Sequence, residues 1–140
     1  MPLLPEIIEV TEQYKPIARK LVQQFDLYLG HIDLERVRFV NTIADYRRKY
    51  DARCHMVGVP LCYFTNCYYV LEYIWPNCEE MTPKQMEIIT FHELMHIAEG
   101  GTDPDDKAFM KMRKHDREDF IFILRKYGLD WNMAGKILEE

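Results

Sequence analysis

Apolar residues in the first part of the chain recur at helical spacing. Ile17, Leu21, Val22 and Phe25 mark one face of a helix that begins between residues 12 and 15 and runs to about 27 or 29. Pro16 fits such a helix only in its first turn, where a missing N–H costs nothing, and Gly30 supplies a stop. Residues 1–10, with Pro2 and Pro5, read as an extended lead-in. The period then changes to two. Over 34–40, Val37 and Phe39 point one way and Arg36 and Arg38 the other, as in a strand. Residues 52–59 and 62–74 read as two more strands, separated by Gly58 and Pro60 and supplied with tyrosines and Val70. Asn66 is a candidate break in the second. Residues 44–50 fit either a short helix or an extension of the preceding strand.

Thr82-Pro83-Lys84-Gln85 is the sharpest start signal: an N-cap threonine, a proline at the first helical position and a glutamine able to close a capping box. The helix it opens is expected to run to Gly100-Gly101. Met86, Ile88, Ile89, Phe91, Leu94 and Met95 cover most of its circumference, which predicts a buried helix. A last long helix is expected to start between 106 and 114 and stop at Tyr127-Gly128, leaving a tail with Trp131. This order predicts an α+β fold in which a small, mainly antiparallel or mixed sheet of about three strands packs with N-terminal, central and C-terminal helices. The 140 residues are expected to form a single domain, 1–140.

Composition narrows the functional classes. At 48% hydrophobic and 13% aromatic the chain has ample material for a core, which excludes a disordered chain. A formal net charge of −5 argues against nucleic-acid binding by general phosphate attraction, and the basic runs Arg47-Arg48-Lys49 and 111–114 read as solvated surface. Nothing approaches the ~20 apolar residues of a membrane span. The first residues lack the basic leader and apolar stretch of a signal peptide, so a cytoplasmic address is expected. Cys54, Cys62, Cys67 and Cys78 form no CxxC pair and read as small buried hydrophobes.

The candidate chemistry lies in His92-Glu93-Leu94-Met95-His96, an HExxH sequence. On a helix, residues four apart share a face, so both imidazoles can reach one ion. Glu93, about 100° around the helix from His92, can reach a water at that ion. Two histidines and a glutamate in a buried helix are costly without partners, and a metal removes the cost. A durable zinc site needs a third protein ligand. His115, nineteen positions after His96 and beyond the Gly-Gly turn, is the leading candidate, with Asp119 able to accept its other ring N–H. Asp116 or Asp119 as a carboxylate ligand is the alternative, while His31 and His55 read as surface or strand residues. An oxyanion donor is open among Tyr63, Tyr68, Tyr69, Tyr73 and Tyr127, each of which also reads as a packing residue.

With His92-Glu93-x-x-His96, then His115-Asp116-x-x-Asp119-Phe120 and Tyr127-Gly128, the chain resembles the zincin-like metallopeptidase family of archaea and phages. The resemblance runs from about residue 35 onward and is strongest over 88–128. It implies an active-site helix beneath a twisted sheet, with a third ligand from the following helix. No His or Asp stands six residues after His96 and no Met-turn follows, so a metzincin is not expected. Glu99 and Glu118 fit a third-ligand role less well than His115.

The expected function is a zinc-dependent hydrolase, a metallopeptidase in which one Zn2+ is held by His92, His96 and His115 and Glu93 is the general base. Its substrate would be a peptide or protein, which could pair with one of the strands that precede the active-site helix. The alternative is a non-catalytic zinc-stabilised regulatory or adaptor domain, in which Glu93 would have no task.

Overall fold

A computed structural model of the protein describes residues 6–43 and 51–113. The fold is α+β. Strand β1 (Glu6–Glu9) leads into helix α1 (Thr11–Gln24) and the short α2 (Asp26–Leu29). A 3-10 turn (Leu34–Arg36) opens β2 (Val37–Ile43), followed by β3 (Ala52–Met56), α3 (Leu61–Thr65), β4 (Tyr69–Ile74), α4 (Trp75–Cys78) and α5 (Pro83–Leu94). The segment 44–50, the expected C-terminal helix with His115, Asp116 and Asp119, and the tail lie outside the described residues.

Among the described residues four strands, against about three expected, form one mixed sheet in the order β1-β2-β4-β3. The added strand is β1, inside the expected lead-in; it pairs antiparallel with β2, Ile8 opposite Asn41. The central pair β2–β4 is parallel, Phe39 opposite Leu71, and β3 closes the far edge antiparallel to β4, Cys54 opposite Leu71. Alternation gives the sheet one apolar face: Val37, Phe39, Tyr69, Leu71 and Tyr73 are buried, while Arg38 and Arg53 are exposed on the other, where Thr42 and Ile74 are also covered. Helices α1 and α5 pack on the apolar face. Tyr14 of α1 meets Tyr73, and Phe25 meets Phe91 of α5, each with ring centroids 4.5 Å apart.

Helix α1 begins at Thr11, so Pro16 sits in the second turn and removes a hydrogen bond that would have gone to Glu12. Burial of Tyr14, Ala18 and Leu21 along one face carries the helix through this loss. Residues 62–65, expected in a strand, are instead helix α3, stopped by Asn66 in the left-handed conformation (φ 54°). Their aromatic composition favours a strand locally, but Tyr63 and Phe64 point to solvent and, among the described residues, pair with no strand. Thr82 caps α5 as expected: its hydroxyl accepts the Gln85 N–H (3.1 Å) and the Gln85 side chain accepts the Thr82 N–H (2.9 Å). Among the described residues, no helix is long and apolar enough to cross a membrane.

Candidate metal centre

Helix α5 stops earlier than its sequence suggests. Leu94 is its last residue, and the chain tightens into i→i−3 bonds, His96 N–H to Glu93 C=O (3.1 Å) and Ile97 N–H to Leu94 C=O (3.1 Å). Ile97 then pairs with Met112 in an antiparallel bridge. His92 therefore lies in the last helical turn, and His96 just beyond it. The tightened turn keeps them together, with ring centroids 5.3 Å apart and the rings edge to face.

The bridge carries the second half of the site. Residues 96–98 and 111–113 run side by side, held by Arg113 N–H to His96 C=O (2.6 Å) and Ala98 N–H to Lys111 C=O (3.3 Å). Between them the chain turns at Gly100-Gly101, where Met110 N–H reaches Gly101 C=O (2.9 Å). Tyr69 of β4 pins this hairpin to the sheet, its hydroxyl donating to the Lys111 carbonyl (2.7 Å). On the other side His31 Nε2 donates to the Ile97 carbonyl (3.1 Å), and Thr102 bonds to both the His31 carbonyl (3.2 Å) and the Asp33 N–H (3.0 Å). The result places the Arg113 carbonyl 2.7 Å from His96 Nδ1. A carbonyl only accepts, so Nδ1 carries the proton and a neutral imidazole then bears its lone pair on Nε2. Metal-binding histidines are commonly oriented in this way.

Glu93 is 7% exposed, enclosed between α5 and the edge strand β3. Burial pushes its carboxyl up to about 8, against a backbone hydrogen bond from Cys54 and the more distant charge of Arg53. The Cys54 bond follows from the strand register. Ile74 N–H donates to Asp51 C=O and Val57 N–H to Tyr68 C=O (both 2.9 Å), so alternate residues from 51 to 57 face β4. The main-chain groups of Ala52, Cys54 and Met56 therefore face outward from the sheet edge. Burial and the neighbouring Glu93 charge keep the Cys54 thiol protonated well above its ordinary range.

Ligand atoms of His92, Glu93 and His96 all lie within 4.8 Å of one another, a group that could hold a metal ion. Two imidazoles, one with its tautomer set, and a carboxylate form a donor set suited to zinc. His115 lies outside the described residues, so the third-ligand expectation rests on sequence. His55 stands in β3 as expected, bonded to Glu72 (2.8 Å), and His31 is a loop anchor. Tyr73, a candidate oxyanion donor, has its hydroxyl on Thr90 (2.7 Å), Tyr69 has its own on Lys111, and Tyr63 is 72% exposed. All four cysteines are free thiols; Cys62, Cys67 and Cys78 are buried as expected, and Cys54 is half-buried. Sequence reasoning missed the Arg113 carbonyl and the Cys54 amide, because main-chain groups carry no residue signal. The Gly100-Gly101 turn was the one hint of the hairpin.

An α+β fold with an HExxH pair beneath a sheet edge defines a candidate metal-dependent hydrolase. A family model described as "Putative phage metallopeptidase" matches residues 6–139, and the chain belongs to that family. No curated protein and no solved structure matches it.

Proposed function

We propose that the protein is a zinc metallopeptidase, with His92, His96 and His115 as ligands of one zinc ion and Glu93 as general base. The observation that carries the reading is Glu93: a buried carboxyl, pushed up to about 8, beside two imidazoles whose ligand atoms lie within 4.8 Å of its own. A structural zinc site would have no use for that carboxyl, and its burial would only cost stability.

His115 is supported by chain length. It stands two residues past Arg113, whose carbonyl touches His96, and each residue spans at most ~3.6 Å. Two residues of chain are short, about 7 Å at most, which supports His115 over ligands further along the sequence.

When bound, zinc supplies Lewis acidity to the attacking water and to the scissile carbonyl. Glu93 takes the proton of that water as the oxygen attacks the peptide carbon, then delivers it to the departing amine. A buried carboxyl beside the ion's open position can make both transfers. The Cys54 N–H keeps it aimed, and the surrounding apolar side chains exclude bulk water. Outward main-chain groups at Ala52 and Met56 suit pairing with an extended substrate.

The test is metal analysis of the wild type beside His115→Ala, with peptide hydrolysis by wild type and Glu93→Gln. One zinc per chain, lost or greatly weakened in His115→Ala, and hydrolysis lost in Glu93→Gln with zinc retained, are the expected results. Equal zinc in wild type and His115→Ala removes that ligand, and undiminished cleavage by Glu93→Gln removes the mechanism.

A further inference from the structure

We propose that the hydrogen-bonded pair Tyr73–Thr90 is a positioning device that sets the rotation of α5, and through it the aim of His92 and Glu93 at the metal; this rests on the metallopeptidase reading above. Met86, Ile88, Ile89, Phe91 and Leu94 are buried round most of the circumference of α5. A helix covered on nearly every side has no apolar stripe to fix its rotation, because apolar contacts are not directional. The polar residues among its buried ones are Thr90 and Glu93. They stand three positions apart, hence on one face, and each is bonded to the sheet.

The direction of the bonds follows from their acceptors. A carbonyl only accepts, so the Thr90 hydroxyl donates to Met86 C=O (2.8 Å), and its single proton is then committed. Tyr73, fully buried on β4, therefore donates to Thr90 (2.7 Å). Tyr73 pairs across the sheet with Ala52, and Cys54, two residues along β3, is the residue whose main chain is bonded to Glu93. The two bonds thus tie one face of α5 to adjacent strands, about 4.5 Å apart along the helix and about 7 Å apart along the strands. With both in place the helix cannot turn about its axis without breaking one.

The setting matters because the site is assembled from two supports. His92 and Glu93 ride on α5, whereas His96 lies just beyond its end and is oriented by the Arg113 carbonyl of the hairpin. A turn of α5 by about 20° would carry a side-chain tip ~5–6 Å from the axis through roughly 2 Å. His96, tied to the hairpin, would be restrained from following. The two imidazoles would part and Glu93 would lose its aim, a displacement that can cost about a hundredfold in rate.

The experiment uses the full-length protein and the variants Tyr73→Phe, Thr90→Val and Thr90→Ser, with Ile89→Val as a control for lost packing. Zinc affinity is measured by competition with a chromophoric chelator, and hydrolysis on a fluorogenic peptide that wild type cleaves. Exchange of the Cys54 amide is followed by NMR in metal-free protein. Tyr73→Phe and Thr90→Val should each weaken zinc binding about tenfold and lower kcat about tenfold or more, with KM within about twofold. In both, the Cys54 N–H, which Glu93 shields at the outer edge of β3, should exchange about tenfold faster, while the Val57 and Ile74 amides that pair between the strands hold their rates. Thr90→Ser keeps the hydroxyl and should bring all three measurements back to within about twofold of wild type, and Ile89→Val should differ from wild type in stability alone. Lower stability with zinc affinity, kcat and Cys54 exchange unchanged overturns the proposal, since the pair would then only pack the core. So does Thr90→Ser behaving as Thr90→Val does, since the hydroxyl would not be what acts. Failure of the parent reading looks different: wild type binds no zinc, or Glu93→Gln cleaves normally, and Cys54 exchange in the metal-free variants still decides whether the pair aims Glu93.

Discussion

Two histidine–glutamate groups lie on opposite faces of the same sheet, and they are built for different ends. On the outer face Glu72 is held by side chains: His55 Nε2 at 2.8 Å on one oxygen and the Thr42 hydroxyl on the other. This chain of bonds ties β3, β4 and β2 together, and the His55 side chain is 45% exposed to solvent. On the inner face Glu93 is nearly sealed from water, takes a main-chain hydrogen bond from Cys54 and lies beside two imidazoles. Residue type alone does not separate the pair. What separates them is how the carboxylate is kept: in the outer group, 15% exposed, it is partnered by side chains, whereas in the inner group it meets a main-chain amide and burial pushes its pKa up. The first arrangement is a brace, and the second suits the proton transfer proposed for Glu93.

Glu-to-Gln exchange at the two positions should therefore give very unequal results. Glu93→Gln is expected to lower peptide hydrolysis by about 10²–10⁴-fold with zinc retained, and Glu72→Gln to leave the rate within about twofold. Steady-state kinetics with metal analysis decides this. Comparable losses at both positions would make the outer group part of the machinery and end the distinction.

The next effect concerns the hairpin that sets His96. A Cβ at Gly101 would lie 2.3 Å from the Tyr69 hydroxyl oxygen and 2.8 Å from the Ala98 carbonyl oxygen. Gly101→Ala should cost about 1–3 kcal/mol in denaturant unfolding and weaken zinc binding, because the segment carrying the Arg113 carbonyl must shift. Unchanged zinc affinity in a destabilised Gly101→Ala would show that His96 does not depend on the hairpin.

Glu93 also gives the metal-free protein a pH dependence. Its folded carboxyl titrates at about 8, above the ordinary 4.5, so between these values the folded state holds a proton that the unfolded state has lost. Stability is then full at low pH and falls as pH rises from about 5 to about 8, at up to roughly 1 kcal/mol per pH unit. Thermal melting of the metal-free protein across this range should show the fall, and Glu93→Gln should flatten it. A slope that persists in Glu93→Gln assigns it to other groups.

The inner group was visible in the amino-acid sequence because its parts are local. The Thr82–Gln85 capping box starts α5, and the spacing of His92 and His96 is set within a turn. The end of α5 was not visible. Residues 95–99 contain no breaker, and the helix stops at Leu94 because Ile97 is drawn into pairing with Met112, a contact across fifteen residues. The same limit hid β1, whose pairing with β2 spans more than thirty residues, and the parallel register of β2 with β4. It also explains α3: residues 62–65 have strand composition, yet among the described residues no strand pairs with them. Periodicity reports which face is buried, but not which distant segment covers it.

The smallest effect belongs to the outer brace. His55 and Glu72 form a half-exposed pair with side-chain exposures of 45% and 15%, and such pairs contribute about 0–1 kcal/mol. A double-mutant cycle of His55→Ala and Glu72→Gln in urea unfolding should return a coupling in that range, with zinc content and hydrolysis unaffected by either change. The cycle is informative because the brace shares β3 with the inner site: Cys54, the residue before His55, is the one bonded to Glu93. If β3 is held mainly by its main-chain pairing with β4, losing the brace leaves the Cys54 amide in place and hydrolysis intact. If His55→Ala instead slows hydrolysis tenfold with stability unchanged, the brace positions β3 over Glu93, and the two faces of the sheet act together.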